Sequence, residues 1–589
     1  MSIYDKSSLV LIPSGTKTGK VFSQKPVSGD GDFTFTRASA ATRVNASGNI
    51  EKETSNLLLQ SNQFDTTWSN NGTTETSGQS GYDGSSDAWL LEKSIAGGSI
   101  RQSIVFNGVG TYSVYAKAGT LNYILLYINY GSGTDTQAYF DLSNGSVGTT
   151  IAEIDANIES VGNGWYRCSV SFSTPSATAT TLFFPAQGDG DTSGTSGNIY
   201  IQDAQLEQGL VARDYIETTT TAIYGGITDN VPRLDYTDSS CPALLLEPLR
   251  TNLIAYSEYF NGADWINVGV TATENAVISP EGVQNATQLN FTGTSYKRFE
   301  QNTSNAATAC TTSIFMKYIN HDIVMARMDS TSGASYAWFN IQTGEVLKVD
   351  GANGSVPDPI ASVDDYGDGW YRLNTTQNSM ASNQEIFWYF VPDINTSTGG
   401  WTGSGSAYAY GAQFEEGSYA TSYIPTYGSS VTRNAENTKA TNVSDLIGQS
   451  EGTLYVETKG QTKDSSLLLR VAQSGGVYGD SIYIDIAVGG SLRAVIFNNY
   501  VSQMLSTTSV TDGQSIKAAL AYSNNDCVFY LNGTQIASDI SVSLPTSLAD
   551  ILLGSYYPAN SAQQYKGTNQ ALVFKTRLSN EELADLTTI

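Results

Sequence analysis

Apolar and polar residues alternate in short runs along most of this chain. In CSVSFS, Cys168, Val170 and Phe172 share one face, and three serines share the other. In SIYIDIAV, at 481–488, three isoleucines and a valine likewise fall on every second position and share one face. A period of two residues predicts half-buried β-strands. Turns that contain glycine, such as SNGS and LNGT, come at short intervals and predict hairpins between these strands.

The segment YILLYINY, at 123–130, is apolar on both faces, which is typical of a central strand in a sandwich. A good helix signal occurs in LSNEELADL near the C-terminus. There Ser579 and Glu582 predict a capping box, and Leu583 and Leu586 form one apolar stripe. Short strands at regular spacing with so little helix predict an all-β fold of tandem antiparallel β-sandwich or jelly-roll domains.

Four sequence landmarks occur twice, in the same order and about 200 residues apart. YSVYAKAG, AYFDLSNGSV, GNGWYR and AQLEQG return as TSIFMKYI, AWFNIQTGEV, GDGWYR and AQFEEG. Solenoid repeats are only about 20–50 residues long, so this period indicates a duplicated globular domain. Trp165 and Trp370 take equal places in the two copies, as do Trp68 and Trp265. We expect these tryptophans to pack in the cores, with sugar stacking as the alternative.

The landmarks divide the chain into six parts. They are an N-terminal segment (1–50), a first jelly-roll module (51–222), a connector (223–250), a second jelly-roll module (251–435), a linker (436–446) and a C-terminal domain (447–589). Each module is long enough to bury a core of its own.

Composition narrows the function classes. The chain of 589 residues has a formal net charge of −26, which argues against nucleic acid and anionic membrane surfaces as partners. The sequence shows no apolar run long enough for membrane insertion, and its start lacks the features of a signal peptide. We therefore expect a protein made in a host cytoplasm and released by lysis, as the proteins of a virus particle are.

Several long strings resemble tailed-bacteriophage virion proteins. They are YDKSSLVLIPSG, GDGDFTFTRASAATRVNASGNIE and SNLLLQSNQFDTTW near the N-terminus, and PRLDY and CPALLLEPLRTNLIAYSEYF in and after the connector. The duplicated module, with its GWYR landmark, is similar to carbohydrate-binding-like jelly rolls of phage tail fibres. In the C-terminal domain, IKAALAYSNNDCVFYLNGTQI and QALVFKTRLSNEEL resemble the laminin-G and concanavalin-A-like lectin sandwich.

The resemblance implies a virion surface protein, such as a tail fibre or similar appendage, whose N-terminal segment docks onto other virion proteins. Its modules would attach the particle to host cell-surface glycan by multivalent binding, and assembly as a homo-oligomer, such as a trimer, would raise the avidity. A capsid decoration or head-fibre protein that binds no sugar is the alternative, and a polysaccharide depolymerase is a third interpretation.

Aromatic residues in polar loops are the candidate sugar contacts, because the face of an aromatic ring packs against the C–H surface of a pyranose. Such residues should be exposed to solvent. The candidates are Tyr130 in INYGSG, Trp401 in TGGWTGSG, and Tyr556 and Tyr557 in GSYYPAN.

Aspartates cluster in several loops, and Asp189 and Asp191 in GDGDTSGTSG are the candidate calcium ligands. Calcium takes six to eight oxygen ligands, and none of these loops has the spacing of an EF-hand. Solvated turns are the simpler interpretation. A calcium ion at the rim is what the resemblance to lectin sandwiches implies.

The sequence shows no catalytic constellation, and we expect a protein that is not an enzyme. His321 is the single histidine, no GxSxG motif accompanies it, and the four cysteines are scattered. This set is also too small for a zinc site without carboxylates. Cys168 and Cys527 lie in strand patterns and should be buried.

Carboxylates are plentiful, so two pairs could serve a glycosidase. The pairs are Glu207 with Asp203 and Glu415 with Glu416. Glu207 and Glu415 take equal places in the two modules, so a structural role is favoured. That role would be to cap a turn or to pair with Arg167 or Arg372.

Overall fold

The computed structural model describes residues 3–131, 133–174, 178–303, 309–330, 333–351, 356–379, 384–396, 400–475, 479–554 and 566–589. In these residues almost all regular structure is antiparallel strand, which confirms the predicted all-β fold class. The helices that they contain are α1 (Ile3–Lys6), α2 (Asn580–Thr587) and a 3-10 turn at Ser444–Leu446. No helix within these ranges is long and apolar enough to cross a membrane.

The first part of the chain forms short strands. They are β1 (Leu9–Leu11), β2 (Thr16–Lys17), β3 (Lys20–Val21), β4 (Phe33–Thr36), β5 (Arg43–Val44), β6 (Ile50–Glu51) and β7 (Thr54–Asn56). In β4 the two phenylalanines are buried and the two threonines are exposed, as the two-residue period of a strand requires.

The first module is a sandwich of two antiparallel sheets, each with six strands among the described residues. Its strands are β8 (Ser69–Asn71), β9 (Thr73–Gln79), β10 (Ala88–Lys93), β11 (Ser99–Val105), β12 (Gly108–Ala118), β13 (Tyr123–Asn129), β14 (Thr136–Asp141), β15 (Ser146–Ile151), β16 (Asp155–Gly162), β17 (Trp165–Thr174), β18 (Thr178–Ala186) and β19 (Gly197–Gln208). The strand orders are β16-β17-β12-β19-β10-β9 and β15-β14-β13-β18-β11-β8. The core lies between the sheets, where Cys168, Val170 and Phe172 are buried together as their alternation predicts.

Strands of the connector come next. They are β20 (Ile223–Gly225), β21 (Arg233–Asp235), β22 (Ala243–Leu245) and β23 (Arg250–Asn252). The strand β20 pairs with β7, which closes a small two-stranded sheet beside the first module.

The second module repeats the first strand for strand. Its strands are β24 (Ile266–Val268), β25 (Val270–Val277), β26 (Ala286–Phe291), β27 (Arg298–Thr303), β28 (Cys310–Tyr318), β29 (Ile323–Ser330), β30 (Gly333–Asn340), β31 (Glu345–Gly351), β32 (Ile360–Asp365), β33 (Trp370–Gln377), β34 (Gln384–Phe390) and β35 (Gly405–Glu416). The sheet orders, β32-β33-β28-β35-β26-β25 and β31-β30-β29-β34-β27-β24, match those of the first module position by position. Trp68, Trp165, Trp265 and Trp370 are all buried, as predicted.

The C-terminal sandwich contains an eight-stranded and a nine-stranded sheet, counted over the described ranges. Its own strands, with the two that lead into it, are β36 (Val431–Arg433), β37 (Asn437–Ala440), β38 (Glu451–Lys459), β39 (Ser466–Gln473), β40 (Ser481–Ala487), β41 (Ser491–Asn498), β42 (Val501–Ser509), β43 (Ser515–Ser523), β44 (Cys527–Leu531), β45 (Thr534–Asp539), β46 (Leu548–Leu553) and β47 (Thr568–Phe574). The helix α2 has the predicted capping box between Ser579 and Glu582, and Leu583 is buried.

Strands from both ends of the chain share the sheets of this sandwich. Strand β1 pairs with β47 through Leu9 and Val573, and β22 of the connector also meets β47. Strands β2, β3 and β4 extend the nine-stranded sheet, because β4 pairs with β37. The segment 1–50, predicted to dock the protein on a particle, therefore also forms part of the C-terminal sandwich.

A buried network of charges joins the N-terminal segment, the connector and the end of the second module. Arg37 contacts Glu436 at 2.8 Å, and Arg233 and Arg433 each contact Glu247 at 2.8 Å. Arg233 also pairs with Glu436, and these side chains are at most 3% exposed. Burial works against ionisation, but Arg433 and Arg233 lower the pKa of Glu247 to about 2. The network thus fixes three segments to one another.

A second buried network joins the two modules. Lys52 Nζ lies 2.8 Å from Glu258 and 2.6 Å from Glu281, and Arg213 also pairs with Glu281. Burial opposes the charge on Glu281, but Lys52 and Arg213 lower its pKa to about 2. Because Arg213 follows the last strand of the first module and Glu281 belongs to the second, this network holds one module against the other.

Candidate functional site

The outer face of the β13 sheet in the first module carries a group of aromatic rings. In a strand, successive side chains point to opposite faces of the sheet. Ile124, Leu126 and Ile128 of β13 enter the core of the sandwich. Tyr123 and Tyr127 therefore point to the outer face, where they meet residues of the neighbouring strands.

We call this surface the tyrosine face and define it by Tyr123, Leu125, Tyr127, Tyr139 and Phe184. Leu125 and Tyr139 are buried, whereas Tyr123, Tyr127 and Phe184 are half-buried. The rings of Tyr127 and Phe184 lie 5.9 Å apart between centroids and cross at 67°. The tyrosine face thus offers partly exposed rings on a sheet surface, where the backbone holds them in place.

Carboxylates border the tyrosine face. The Tyr127 hydroxyl donates to Asp135, which also accepts hydrogen bonds from Asn129 Nδ2 at 2.8 Å and from the backbone N–H of Tyr130 at 3.0 Å. Burial, and then the hydrogen bond to Asp135, raises the pKa of Tyr127. A hydrogen bond to Asp141 likewise raises the pKa of Tyr123. Both hydroxyls therefore stay protonated at neutral pH.

The predicted calcium ligands lie at the edge of the same face. Asp189 accepts hydrogen bonds from the backbone N–H of Thr149 at 2.6 Å and from its hydroxyl at 2.9 Å. Asp191 accepts from the backbone N–H of Ser193 at 2.8 Å, and hydrogen bonds from the side chain and then the backbone of Ser193 lower the pKa of Asp191. Burial, and then the charges of Asp189 and Asp191, raises the pKa of Tyr139.

Asp189 and Asp191 thus use their carboxylates to bind backbone and hydroxyl groups of nearby loops. Among the residues that the structure describes, no group of three or more His, Cys, Asp or Glu side chains could hold a metal ion. Calcium binding by Asp189 and Asp191 has no further support here and stays a prediction.

The second module has an aromatic face at the same place, but cationic side chains cover it. Its residues are Met325, Trp338, Phe387, Tyr389 and Val391, which are buried, with Tyr336 half-buried at their edge. Strand pairing places Arg327 where the first module has Tyr127, because Tyr127 pairs with Leu182 and Arg327 with Phe387.

The covering side chains lie directly over these rings. The Arg327 guanidinium is 5.1 Å from the centroid of Phe387 and 5.7 Å from that of Tyr336. Arg298 lies 5.8 Å from the Tyr389 ring, and Lys348 lies 4.7 Å from the ring of Trp338. Long cationic side chains that lie along apolar surface in this way bury it. The second face is therefore closed, whereas the tyrosine face is open.

Trp401 was expected to be exposed, but it is only partly exposed because its ring packs against the core of the second module. Its indole N–H donates to the Phe390 carbonyl at 3.0 Å, and its ring stacks on His321 at 5.6 Å. Lys297 Nζ lies 4.4 Å from the ring centroid. Phe291, which also contacts Trp401, lines a shallow hollow with hydroxyl and amide side chains. Trp401 thus remains a candidate contact at a second, smaller site.

The other predicted sugar contacts differ in outcome. Tyr130 was expected to be exposed, and this is wrong: it is only 7% exposed, packs in the core and shares a hydrogen bond with Thr136 at 2.7 Å. The reason is that Tyr130 continues the inward-facing positions of β13. Tyr556 and Tyr557 lie outside the described residues.

The candidate glycosidase carboxylates bind the loops of their own modules. Glu207 is buried and accepts hydrogen bonds from Gln205 Nε2 at 2.7 Å and from the backbone N–H of Arg213 at 2.9 Å. Glu415 does the same with Gln413 at 2.7 Å and with the backbone N–H of Thr421 at 2.8 Å. The expected capping of a turn is confirmed.

The expected arginine partners of these carboxylates are not found. Arg167 donates to the Arg213 carbonyl, and Arg372 donates to the Thr421 carbonyl at 2.8 Å. Both arginines thus hold the same loop as the glutamates but through its carbonyl groups. Arg250 Nε instead approaches Glu415, at 3.8 Å. Asp203 lies apart from this contact, where it accepts the Tyr82 hydroxyl at 3.0 Å.

The comparisons with known proteins give no family. No family model matches the chain, and no curated protein does. Solved structures similar to parts of it include the IT-sialidase CBM40 of Ruminococcus gnavus bound to α2,3 sialyllactose, with 20% identity over 25% of this chain and 86% of that chain, and a TM-score of 0.22. The mouse laminin α1 chain, domains LG4-5, has 12% identity over 48% and 87%, with a TM-score of 0.16.

The sialidase of Trypanosoma rangeli matches a larger share, with 11% identity over 94% of this chain and 98% of that chain, and a TM-score of 0.22. At such low identities and TM-scores these similarities carry no argument about function.

Proposed function

We propose that this chain is a surface protein of a bacteriophage particle that attaches the particle to a host-cell glycan through the tyrosine face of its first module. The observation that carries the proposal is the set of partly exposed rings of Tyr123, Tyr127 and Phe184, with Asp135 and Asp141 beside them. Rings pack against the C–H faces of a sugar, and carboxylates accept hydrogen bonds from its hydroxyls.

The rest of the chain supports this role. A shallow sugar site is weak by itself, and many copies on one particle raise the avidity without any new contact. The strongly acidic composition disfavours nucleic acid, and the sequence strings that resemble virion proteins favour a particle. The closed face of the second module suggests that one module supplies the main site.

Binding of the full-length chain to a glycan array tests the proposal. Tyr127→Ala removes a half-exposed ring and should weaken binding about tenfold, which corresponds to about 1.4 kcal/mol. The matched control is Tyr336→Ala, which removes a half-exposed tyrosine from the closed face and should leave binding unchanged. Thermal unfolding of both variants checks that they fold. Absence of binding to any glycan, or equal losses in the two variants, would contradict the proposal.

A structural role as a capsid decoration protein is the second candidate, and one observation favours it. A groove beside the first module brings together the exposed apolar side chains of Val105, Tyr224 and Val431. Val105 is 83% exposed, and a group of exposed apolar side chains can mark an interaction surface. Particles that carry the chain with Val105→Asp should lose it from the capsid if this groove is an attachment surface, and should keep it if the chain acts only through glycan.

A further inference from the structure

Two cavities of similar size lie on equivalent surfaces of the two modules. The first, of about 350 Å³, lies on the outer face of β16 and β17 and is closed by residues of the second module. The second, of about 310 Å³, lies on the outer face of β32 and β33 and is closed by the segment Thr42–Ile50 and the connector. We call them the first groove and the second groove.

An equivalent pair of an acidic residue and an arginine lines each groove. Glu159 pairs across the strands with Arg167 in the first module, and Asp364 pairs with Arg372 in the second. Each arginine stacks on an aromatic ring at 5.3 Å, which is Tyr115 in one case and Phe315 in the other.

The two arginines also use their hydrogen-bond donors alike. Arg167 donates from Nη2 to Ser113 and to the loop carbonyl of Arg213. Arg372 donates to Ser313 at 2.9 Å and to the loop carbonyl of Thr421. In both, the buried Nε has no hydrogen-bond partner among the described residues. The grooves thus share a buried donor, and a ligand that accepts a hydrogen bond from this Nε would satisfy it.

The first groove also contains a buried hydrogen-bond acceptor that has no partner among the described residues. Asn275, which is 8% exposed, donates from Nδ2 to Asp155 at 2.8 Å and to the Leu210 carbonyl at 3.0 Å. Its Oδ1 is buried and has no hydrogen-bond partner within the described ranges. A buried amide oxygen without a partner is destabilising, so a ligand that donates to it would stabilise the site.

A ligand hydroxyl both donates and accepts hydrogen bonds, so it satisfies a free donor and a free acceptor at once. Carboxylates line both grooves beside the arginines, which adds further acceptors for hydroxyl groups. Cavities of this size lie at the lower end of ligand pockets, which begin at about 300 Å³. The size therefore suits a single sugar ring or a polyol of similar size.

We infer that the two grooves are twin binding sites for a monosaccharide-sized polyhydroxyl ligand, separate from the tyrosine face. Each groove has walls from two parts of the chain, so an occupied groove holds those parts together. The inference shares with the proposed function only the class of ligand, since it concerns other strands and other residues.

Hydrogen–deuterium exchange of the full chain, with and without free glucose, galactose, mannose or N-acetylglucosamine, tests the inference. At least one sugar should slow exchange in the loops 209–213 and 420–423. Glu159→Ala should remove this protection from the first loop alone, and Asp364→Ala from the second alone. Glu159 is exposed, so Glu159→Ala should not affect folding. Asp364 accepts a hydrogen bond from the buried Asn374 Nδ2 at 2.8 Å, so thermal unfolding of Asp364→Ala checks that this variant folds. Ser160→Ala, an exposed neighbour outside the groove lining, is the matched control.

The outcomes separate this inference from the proposed function. Protection of β13 and β14 without the loops supports the tyrosine face and overturns the twin sites. Protection of the loops alone supports the twin sites and contradicts the tyrosine face. No protection with any of the four sugars overturns the inference, as does loop protection that survives both substitutions. Asn157→Trp, which fills the first groove by volume, should reproduce the effect of Glu159→Ala.

Discussion

The two modules have one strand order and one set of loop contacts, yet their outer faces differ. In the first module Tyr127 leaves rings partly exposed, and in the second Arg327 covers them at the same position. The residues that hold the loops, Glu207 and Glu415, are the same in both. The duplicated fold thus tolerates change where a side chain faces outward and keeps the residues that bind backbone groups.

The largest effect should come from an asparagine that clamps each module. Asn56 donates to the Ala204 and Ile216 carbonyls and accepts from two backbone N–H groups, and Asn252 makes the same four hydrogen bonds in the second module. Asn56→Ala and Asn252→Ala should each cost about 3 kcal/mol or more, since buried backbone groups lose their partners.

Calorimetry of both asparagine variants is the measurement. Equal losses would support equivalent clamps, and the exposed Asn157→Ala serves as control. A loss in one module only would show that the modules do not use this residue alike.

Replacing the loop glutamates by glutamine should affect the stability of the two modules differently. Glu415 also accepts the Thr421 hydroxyl at 2.7 Å and lies near Arg250, so Glu415→Gln should cost about 1 to 2 kcal/mol. Burial raises the pKa of Glu207 to about 7, so a neutral amide suits this site better. Glu207→Gln should leave stability unchanged or raise it at pH 7.5. Urea unfolding measures both, and a larger loss for Glu207→Gln would refute the explanation.

Stability should depend on pH through Asp203. Burial raises the pKa of Asp203 from 3.8 to about 7, so the folded protein binds a proton that the unfolded chain has lost. Stability should therefore fall as the pH rises from about 4 to about 7. Asp203→Asn keeps an acceptor for Tyr82 and should be more stable than the natural protein at pH 8 by about 1 kcal/mol or more. Melting at pH 4 and pH 8 tests this; an equal difference at both values would count against it.

The smallest expected effect is a difference in solvent exposure between the aromatic side chains of the two faces. Hydroxyl-radical labelling of the native protein should modify Tyr123, Tyr127 and Phe184 several-fold faster than Phe387 and Tyr389, because cationic side chains cover the latter. Peptide mass spectrometry measures the rates. Arg327→Ala should speed the labelling of Phe387, and unchanged rates would mean that Arg327 is not what covers the ring.

The fold class and much of the core could be predicted from the sequence, because a two-residue period is local. Cys168, Cys527 and Trp165 are buried as expected, and the capping box at Ser579 forms. The same period also explains why the predicted exposure of Tyr130 is wrong. Its place in the two-residue alternation points its side chain into the core, although its neighbours in the loop are polar.

The tyrosine face was missed although YILLYINY is apolar on both faces. The sequence alone does not say whether the second face of such a strand is covered, and here Tyr123 and Tyr127 are only half-covered. The buried network of Arg37, Arg233 and Glu436 was missed because its members are far apart in the chain. Arg37 and Arg233 lie in strings that resemble virion proteins, but Glu436 lies in the linker, so no pattern in the sequence joined the three.

The pairing of the first and last strands has a consequence for biosynthesis. Ser8 donates to the carbonyl of Val573, which is made 565 residues later. At 5–20 residues per second, the ribosome needs about half a minute to two minutes to produce that partner. Both jelly rolls can be complete before β1 finds its partner, so the C-terminal sandwich closes last. A chain interrupted before that point leaves β1 without β47, whereas β2, β3 and β4 can still pair with one another.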